Sequence, residues 1–329
     1  MLMLTSKRLF DLPRHQLKNH PNSKMFVTKT DGEWKGVSTA QFLKEVMSIS
    51  KGLISLGIQP GDNVGIVSNT RYEWNVMDIA IQQVGAIVVP FYPNISENDY
   101  RYIFNDAKIK LCVVADQDLF QKITNIKADI PSLNQLFTMD VVPNAPHWNE
   151  IKIAGKEVEA QAVRDRMENV NYEDLVTIIY TSGTTGNPKG VMLSHKNLLS
   201  NVEACIDPIP ADSNSRVLSF LPVCHVYERM LHYLYMYMGC AIYFAESLDT
   251  IGFNAIASEN NCVRFSPNSD ITNKDLDPVL HFNRLGRTAL HFDANLLAEC
   301  FEKIGRSRNI KVIDGIVTDF TTDHNGYIT

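Results

Sequence analysis

The sequence lacks closely spaced cysteines. Its six cysteines are scattered through 329 residues, with no C-x-x-C pair and no histidine at zinc-finger spacing. Structural zinc sites and small disulfide frameworks require such spacing, so the sequence argues against both. We expect reduced thiols that are mostly buried as small apolar groups, in a chain located in the cytoplasm.

Long apolar runs and clusters of basic residues are also missing. The most apolar aromatic stretch, residues 230–245, contains a histidine and is shorter than the roughly 20 residues that a spanning helix needs. The N-terminus has no apolar core of the kind found in signal peptides. A formal net charge of −6 without a basic cluster disfavours a nucleic-acid partner. We expect no membrane-spanning segment and at most peripheral membrane contact.

The residues that are present predict an α/β protein. Hydrophobic residues make up 45% of the chain and charged residues 21%, the balance of a globular protein. Short apolar runs typical of buried strands alternate with helical patterns, which favours a parallel sheet with helices outside. The predicted strands are 64–68, 86–90, 110–114 and 175–180, and the predicted helices between the first three are 71–84 and 96–107.

Further patterns predict elements before residue 58 and, more weakly, between residues 121 and 170. Strands 25–28 and 35–37 are predicted to form a hairpin with its tip at 32–34. A helix then begins with Ser38 or Thr39 as its cap and ends near Gly57. Its apolar stripe consists of Phe42, Val46, Ile49 and Leu53. Between 121 and 170 the pattern is weaker and indicates only a loop at 144–148 and a charged helical surface at 152–168.

The most informative segment follows the strand 175–180. Its sequence, YTSGTTGNPKG (180–190), contains three glycines and four Ser or Thr hydroxyls and ends with a lysine and a glycine. Glycines let backbone N–H groups approach a polyanion, and Lys189 supplies a mobile positive charge. Pro188 before the lysine breaks the Walker A spacing. The pattern predicts a cradle for the departing pyrophosphate; the alternative is a surface loop that binds nothing.

The string YTSGTTGNPKGVMLSH (180–195) resembles the signature loop of the adenylate-forming superfamily, which includes acyl-CoA synthetases, aryl-CoA ligases, luciferases and peptide-synthetase adenylation domains. Every constrained position from 181 to 190 is filled as that family fills it. Residues 52–96 resemble the family's first sheet, and 194–202 resemble the helix after the loop. The resemblance implies that residues 1–250 form an incomplete N-terminal domain of the acyl-CoA synthetase fold, with layered parallel sheets and flanking helices.

The same resemblance implies a ligase reaction in two steps. A carboxylate attacks the α-phosphorus of ATP to give an acyl-adenylate and pyrophosphate, and the thiol of coenzyme A then displaces AMP. ATP, a fatty acid and coenzyme A are therefore the expected partners, with Mg²⁺ and without flavin. The threonine implied as a metal ligand is taken as Thr181. The implied phosphate-binding residues are Thr181, Ser182, Gly183, Thr184, Thr185, Gly186 and Lys189.

The segment FLPVCHVYER (220–229) and the aromatic stretch after it resemble the long-chain fatty-acid branch of the family. This likeness implies an acyl pocket formed by His225, Val226 and Tyr227. A helical stripe would line an apolar tunnel for the chain, since methionine packs adaptably; it consists of Leu231, Leu234, Tyr235 and Met238. The alternative is that this stripe is ordinary core and that His225 is a buried, hydrogen-bonded histidine.

Several parts of the family pattern are missing from the sequence. There is no Tyr-Gly-x-Thr-Glu segment with its metal-binding glutamate, no later aspartate for the ribose, and no C-terminal domain with the adenylation lysine. No catalytic residue is therefore assigned. We expect weak nucleotide binding and no complete turnover, which leaves open a non-catalytic nucleotide- or acyl-binding remnant.

Residues 251–329 form a tail with a different resemblance. The segment 285–329, which contains HFDA (291–294), is similar to an internal stretch of flavin-dependent tryptophan halogenases. Asp293 is predicted to cap a helix, two strands follow, and Asn325-Gly326 predicts a hairpin turn, so the tail is expected to be partial α+β. Neither the flavin loop nor the W-x-W-x-I-P motif of halogenases occurs. A mis-joined or truncated gene model, a genuine fusion and a halogenase fragment are the open explanations.

Overall fold

A computed structural model describes residues 7–181, 187–207, 209 and 211–245. They form two sheets flanked by helices, which confirms the predicted α/β class. The predictions for residues 251–329 lie outside the described residues. None of the helices in the described part combines the length and apolar character needed to cross a membrane.

The larger sheet has six strands in the order β6-β5-β3-β4-β7-β8. All neighbours are parallel except β7 and β8, which pair antiparallel. The strands are β3 (Asn63–Val67), β4 (Ile87–Phe91), β5 (Leu111–Val114), β6 (Gln135–Thr138), β7 (Leu175–Thr181) and β8 (Lys189–Ser194). In a parallel sheet the carboxyl ends of the strands meet at one edge, where ligands bind in open α/β folds. Thr181 lies at that edge.

A helix connects each parallel strand from β3 to β6 with the next one along the chain, as in a crossover unit. Strands β4 and β5 are buried along their whole length because helices cover both faces of the sheet. Ser96 caps its helix by accepting a hydrogen bond from the backbone N–H of Asp99. The helices of this layer are α3 (Tyr72–Gln83), α4 (Glu97–Asp106) and α5 (Gln117–Ile126).

The smaller sheet has the order β2-β1-β10-β9. Its hairpin, β1 (Phe26–Thr30) and β2 (Glu33–Val37), confirms the predicted pair of strands. The tip lies at Asp31 and Gly32, where positive φ angles of 56° and 79° suit a tight hairpin turn, rather than at the predicted 32–34. Strands β9 (Arg216–Ser219) and β10 (Ala241–Phe244) are parallel to each other, and β10 is parallel to β1.

The first long helix, α2 (Thr39–Ser55), agrees with its sequence pattern. Ser38, not Thr39, is the cap of this helix. Its hydroxyl accepts a hydrogen bond from the backbone N–H of Gln41, and the side-chain oxygen of Gln41 accepts one from the backbone N–H of Ser38. The predicted stripe is completely buried: Phe42, Val46, Ile49 and Leu53. Near the end of α2, Gly57 has a φ of 84°, which glycine adopts without strain.

The region between 117 and 170 also differs from the prediction. Helix α5 and strand β6 were not predicted, and the expected charged surface at 152–168 is two helices, α6 (Asn149–Ala154) and α7 (Ala160–Glu168). The chain turns between these two helices at Gly155. A residue with a side chain would not fit there, because its Cβ atom would lie 2.3 Å from the backbone nitrogen of Gly52. The remaining helices are α1 (Leu12–Asn19), α8 (His195–Ile206) and α9 (Val226–Met238).

Candidate active site

The β7–β8 hairpin frames the predicted phosphate loop. Its register places Thr181 directly opposite Lys189, the last residue of β7 against the first of β8. Residues directly opposite in an antiparallel pair project their side chains on the same face. Both residues are exposed. Two of the predicted phosphate-binding residues therefore stand side by side at the mouth of the loop.

Five predicted residues of the loop lie outside the described residues. They are Ser182, Gly183, Thr184, Thr185 and Gly186. Their assignment stays a prediction. The two hairpin strands fix where residues 182–188 leave and rejoin the sheet, so the loop begins and ends at its carboxyl edge.

Lys189 has no ion-pair partner among the described residues. No carboxylate in 7–181, 187–207, 209 or 211–245 comes within ion-pair distance of its ammonium group. An exposed ammonium group without a protein partner can contact an anionic ligand without first breaking an ion pair. This is the electrostatic arrangement that a triphosphate cradle requires.

The predicted acyl-side segment lies at the same edge of the sheet. Thr70, just after β3, donates from its hydroxyl to the carbonyl of Leu221 at 2.6 Å and accepts from the N–H of Val223 at 2.9 Å. Cys224 lies near Tyr92, which comes just after β4. The pKa of Tyr92 is raised, first by burial of the phenol and then by Cys224. Because β4 pairs with β7, the segment 221–224 and the phosphate loop share one edge.

His225 begins helix α9 and is exposed. Its Nδ1 accepts a 3.3 Å hydrogen bond from the backbone N–H of Tyr227, which satisfies one of the free donors of the first helical turn. Burial of part of the ring lowers the pKa of His225, with Glu228 acting in the opposite direction. The alternative of a buried histidine does not fit this position. Val226 and Tyr227 are half-buried in the first turn.

The helical stripe of α9 is largely buried. Leu231, Leu234 and Tyr235 are each at most 6% exposed, and Met238 is half-buried. These side chains contribute to the core beneath the carboxyl edge. Their role as the lining of an acyl tunnel stays a prediction, as does the acyl-pocket role of His225, Val226 and Tyr227.

A buried ion pair connects α9 with the strand that enters the phosphate loop. Arg229 contacts Asp78 of α3, and its Nη1 donates to the hydroxyl of Thr177 on β7 at 2.7 Å. Tyr233 accepts from the Arg229 Nε at 2.8 Å and donates to Asp78 at 2.6 Å. Burial lowers the pKa of Arg229, but Asp78 and Tyr233 outweigh it and raise the pKa. The guanidinium thus stays charged although its residue is completely buried.

A second buried polar cluster lies beside this pair. The hydroxyl of Ser219 is 2.6 Å from the carboxylate of Glu228 and 2.7 Å from Nε2 of His232. Nδ1 of His232 is 2.8 Å from the side-chain oxygen of Asn75. The cluster ties β9 of the smaller sheet to α9 and α3. Sequence reasoning included Glu228 and Arg229 only as letters of the HVYER string and missed both clusters.

The described residues do not provide a complete magnesium site. Thr181 offers one hydroxyl, and the described ranges contain no group of three His, Cys, Asp or Glu residues that could hold a metal ion. Magnesium sites in proteins use carboxylates together with substrate phosphates and water. The assignment of Thr181 as a magnesium ligand therefore stays a prediction.

Comparison with known proteins identifies the family. The profile of the AMP-binding enzyme family matches residues 13–262. The chain belongs to the AMP-binding enzyme family. Long-chain-fatty-acid–CoA ligase FadD15 of Mycobacterium tuberculosis is 31% identical over 217 residues, which cover 65% of this chain and 36% of that protein. Fatty acyl-CoA synthetase A of Dictyostelium discoideum is 31% identical over 242 residues, 68% of this chain and 35% of that protein.

Solved structures of CoA ligases share the fold. The crystal structure of a long-chain-fatty-acid–CoA ligase (FadD1) from Archaeoglobus fulgidus has a TM-score of 0.68 and 18% identity, covering 79% of this chain and 51% of that one. The anthranilate CoA ligase AuaEII in complex with anthranoyl-AMP has a TM-score of 0.64 and 20% identity, covering 78% and 49%. This AMP-binding chain spans about a third of the length of the curated relatives it matches.

Proposed function

We propose that this chain contributes the nucleotide- and acyl-binding part of an AMP-forming acyl-CoA synthetase that activates a long-chain fatty acid. The observation that carries the proposal is the register of the β7–β8 hairpin, which sets Thr181 against Lys189 at the carboxyl edge of the sheet. The segment 221–224 meets that edge through Thr70. Phosphate-binding and acyl-binding candidates thus lie at one edge of the sheet.

The described residues would act by binding and orientation. The reaction brings two anions together, a carboxylate and a triphosphate, so positioning and charge neutralisation account for much of the rate. Lys189 would neutralise a phosphate oxygen, and the hydroxyl of Thr181 would donate to another. Thr70 holds the backbone of 221–223 in place and so fixes where α9 and His225 begin.

Long-chain specificity is the finer part of the proposal. It is supported by similar proteins, which include a long-chain-fatty-acid–CoA ligase and a fatty acyl-CoA synthetase, and by the apolar stripe of α9. ATP, Mg²⁺ and coenzyme A belong to the proposal with the family reaction. A cytoplasmic location is proposed too, supported by Cys112, Cys224 and Cys240, which are buried thiols outside any disulfide.

Calorimetric titration of the full chain with ATP tests the nucleotide site. We expect saturable binding that Lys189→Ala weakens roughly 10- to 150-fold, because a charge-assisted contact to phosphate is worth on the order of 1.5–3 kcal/mol. Lys44→Ala is the matched control, since Lys44 is also exposed but lies on α2. Equal affinities of the two variants, or no ATP binding at all, would contradict the proposal.

A second titration tests the acyl class. Non-hydrolysable acyl-adenylate analogues with a palmitoyl or a benzoyl group are compared on the wild-type chain. We expect tighter binding of the palmitoyl analogue, because its chain buries more apolar surface. Tighter binding of the benzoyl analogue would refute long-chain specificity. If both analogues bind and ATP–pyrophosphate exchange is absent, the chain acts as a binding module rather than an enzyme.

A further inference from the structure

A basic concavity lies away from the candidate active site. It has a volume of about 760 Å³ and is formed by the cationic face of α1 and the end of α9, namely Arg14, His15, Lys18, His20 and Tyr237. Tyr237 follows His225 by twelve residues, and a helical rise of 1.5 Å per residue puts the two ends roughly 18 Å apart.

The positive charge in the basic concavity is not balanced by acidic residues. Asp11 is the acidic residue that lines it, and both of its carboxylate oxygens are engaged by Arg8 at 3.0 and 3.1 Å. Arg14 and Lys18 make no ion pair with any carboxylate in the described part of the chain. Both side chains are exposed and so can contact an anion from solution.

Perturbed ionisation of two lining residues supports this description. The pKa of His15 is lowered, first by burial and then by the charges of His20 and Lys18. Burial lowers the pKa of Arg14 too; Arg8 and Arg164 act in the same direction, while Asp11 opposes them. His15 thus experiences a positive potential from its neighbours Lys18 and His20, beside its stacking contact with Tyr237.

Capping of helix ends does not account for these cations. Lysine and arginine often sit near helix C-termini, where they interact with unpaired carbonyls. Neither Arg14 nor Lys18 donates to such a carbonyl in the described part of the chain: Arg14 contacts the sulfur of Met167 at 3.5 Å, and Lys18 is exposed. The cationic groups are therefore available to a ligand from solution.

The side chains also have the chemistry of a phosphate site. His15 stacks on Tyr237 with ring centroids 4.6 Å apart, and its Nδ1 is 3.1 Å from the amide nitrogen of Asn19. That amide orients Nδ1 as an acceptor, so Nε2 carries the proton of the neutral ring and can donate. Guanidinium, ammonium and imidazole donors are those that recognise phosphate oxygens.

We propose that the basic concavity binds the phosphate group of a small, soluble phosphorylated molecule. This site is separate from the β7–β8 loop and does not depend on the proposed ligase activity. The phosphate would lie between Arg14 and Lys18, and the stacked rings of His15 and Tyr237 would flank the organic part of the ligand.

The test is calorimetric titration of the full chain with inorganic phosphate and with phenyl phosphate. We expect saturable binding of both, and at least about tenfold weaker binding in the double variant Arg14→Gln/Lys18→Gln. Lys127→Gln is the matched control, because Lys127 is exposed and lies outside the basic concavity. Lys189→Gln separates this site from the phosphate loop: it should leave phosphate binding at the basic concavity unchanged.

Three outcomes would overturn the proposal. Binding that responds to Lys189→Gln and not to the double variant would place the phosphate at the loop. Sedimentation with phosphatidic acid vesicles but not phosphatidylcholine vesicles, without binding of either soluble phosphate, would indicate a lipid surface instead. No phosphate binding by the wild type, with a lowered unfolding midpoint in the double variant, would leave these cations a purely structural role.

Discussion

Replacement of Arg229 by methionine tests the buried connection between the two halves of the candidate site. Arg229 and Asp78 are 0% and 1% exposed, and Nη1 of Arg229 also reaches Thr177 on the strand that enters the phosphate loop. The change keeps an unbranched chain of similar length but removes the charge. It leaves the carboxylate of Asp78 buried with the hydroxyl of Tyr233 as its remaining partner from this network.

The expected cost follows from the burial of the pair. Removing one partner of a buried ion pair costs about 3–5 kcal/mol, because the other charge is left in a poorly solvating interior. For a folded unit of this size, 1 kcal/mol shifts the unfolding midpoint by roughly 2–4 °C, so the expected decrease is roughly 6–20 °C. The double variant Arg229→Met/Asp78→Leu should be more stable than Arg229→Met, since no unpaired charge remains.

Urea unfolding followed by circular dichroism gives the free energies. The matched control is Arg101→Met, which breaks the pair with Asp129 on the surface, where the side chains are 38% and 57% exposed. Such exposed pairs contribute about 0–1 kcal/mol. A loss for Arg229→Met no larger than that of the control would refute the reasoning, as would a double variant less stable than Arg229→Met.

Three further changes test separate features of the fold. His195 is buried, its Nδ1 accepts a hydrogen bond from the N–H of Leu9, and burial lowers its pKa to about 3. The unfolded state therefore binds a proton before the folded state does, so the stability of the fold falls as the pH drops from about 6.5 towards 3. His195→Gln should flatten the pH profile of the urea midpoint. Gly52→Ala should destabilise by about 1–3 kcal/mol in the same assay, because its Cβ would lie 1.9 Å from the carbonyl oxygen of Ile151; an unchanged midpoint would contradict that contact. Ser38→Ala should cost about 1 kcal/mol through loss of the cap, with no change expected for Ser48→Ala, whose hydroxyl bonds only within the exposed face of α2.

Prediction from sequence succeeded where short-range patterns dominate. The stripe of α2 and the alternating strands and helices from 63 to 114 were predicted within one or two residues, because local periodicity and the core face coincide there. It failed for β6, β9 and β10. Each is only four residues long, and each is a strand because distant partners complete its hydrogen bonds.

Only part of the candidate site could be predicted from the sequence. The loop composition and Lys189 were identified from the string 180–190, since glycine, hydroxyl and lysine at that spacing have a direct chemical meaning. The contacts of Thr70 with 221–223 had no sequence signal, because a lone threonine after a strand is common. Arg229 stood in a recognised string, but its partners Asp78 and Thr177 lie 151 and 52 residues away.

The sequence alone predicted the class of fold, the family signature and Lys189 as the candidate cation for a phosphate. These properties follow from residue types at short spacing, which physical chemistry constrains locally. The tertiary structure alone decided that β8 runs back along β7 and sets Thr181 opposite Lys189. It also decided that one buried guanidinium joins α9, α3 and β7. Such contacts depend on packing between distant segments, where burial determines whether a charge needs a partner.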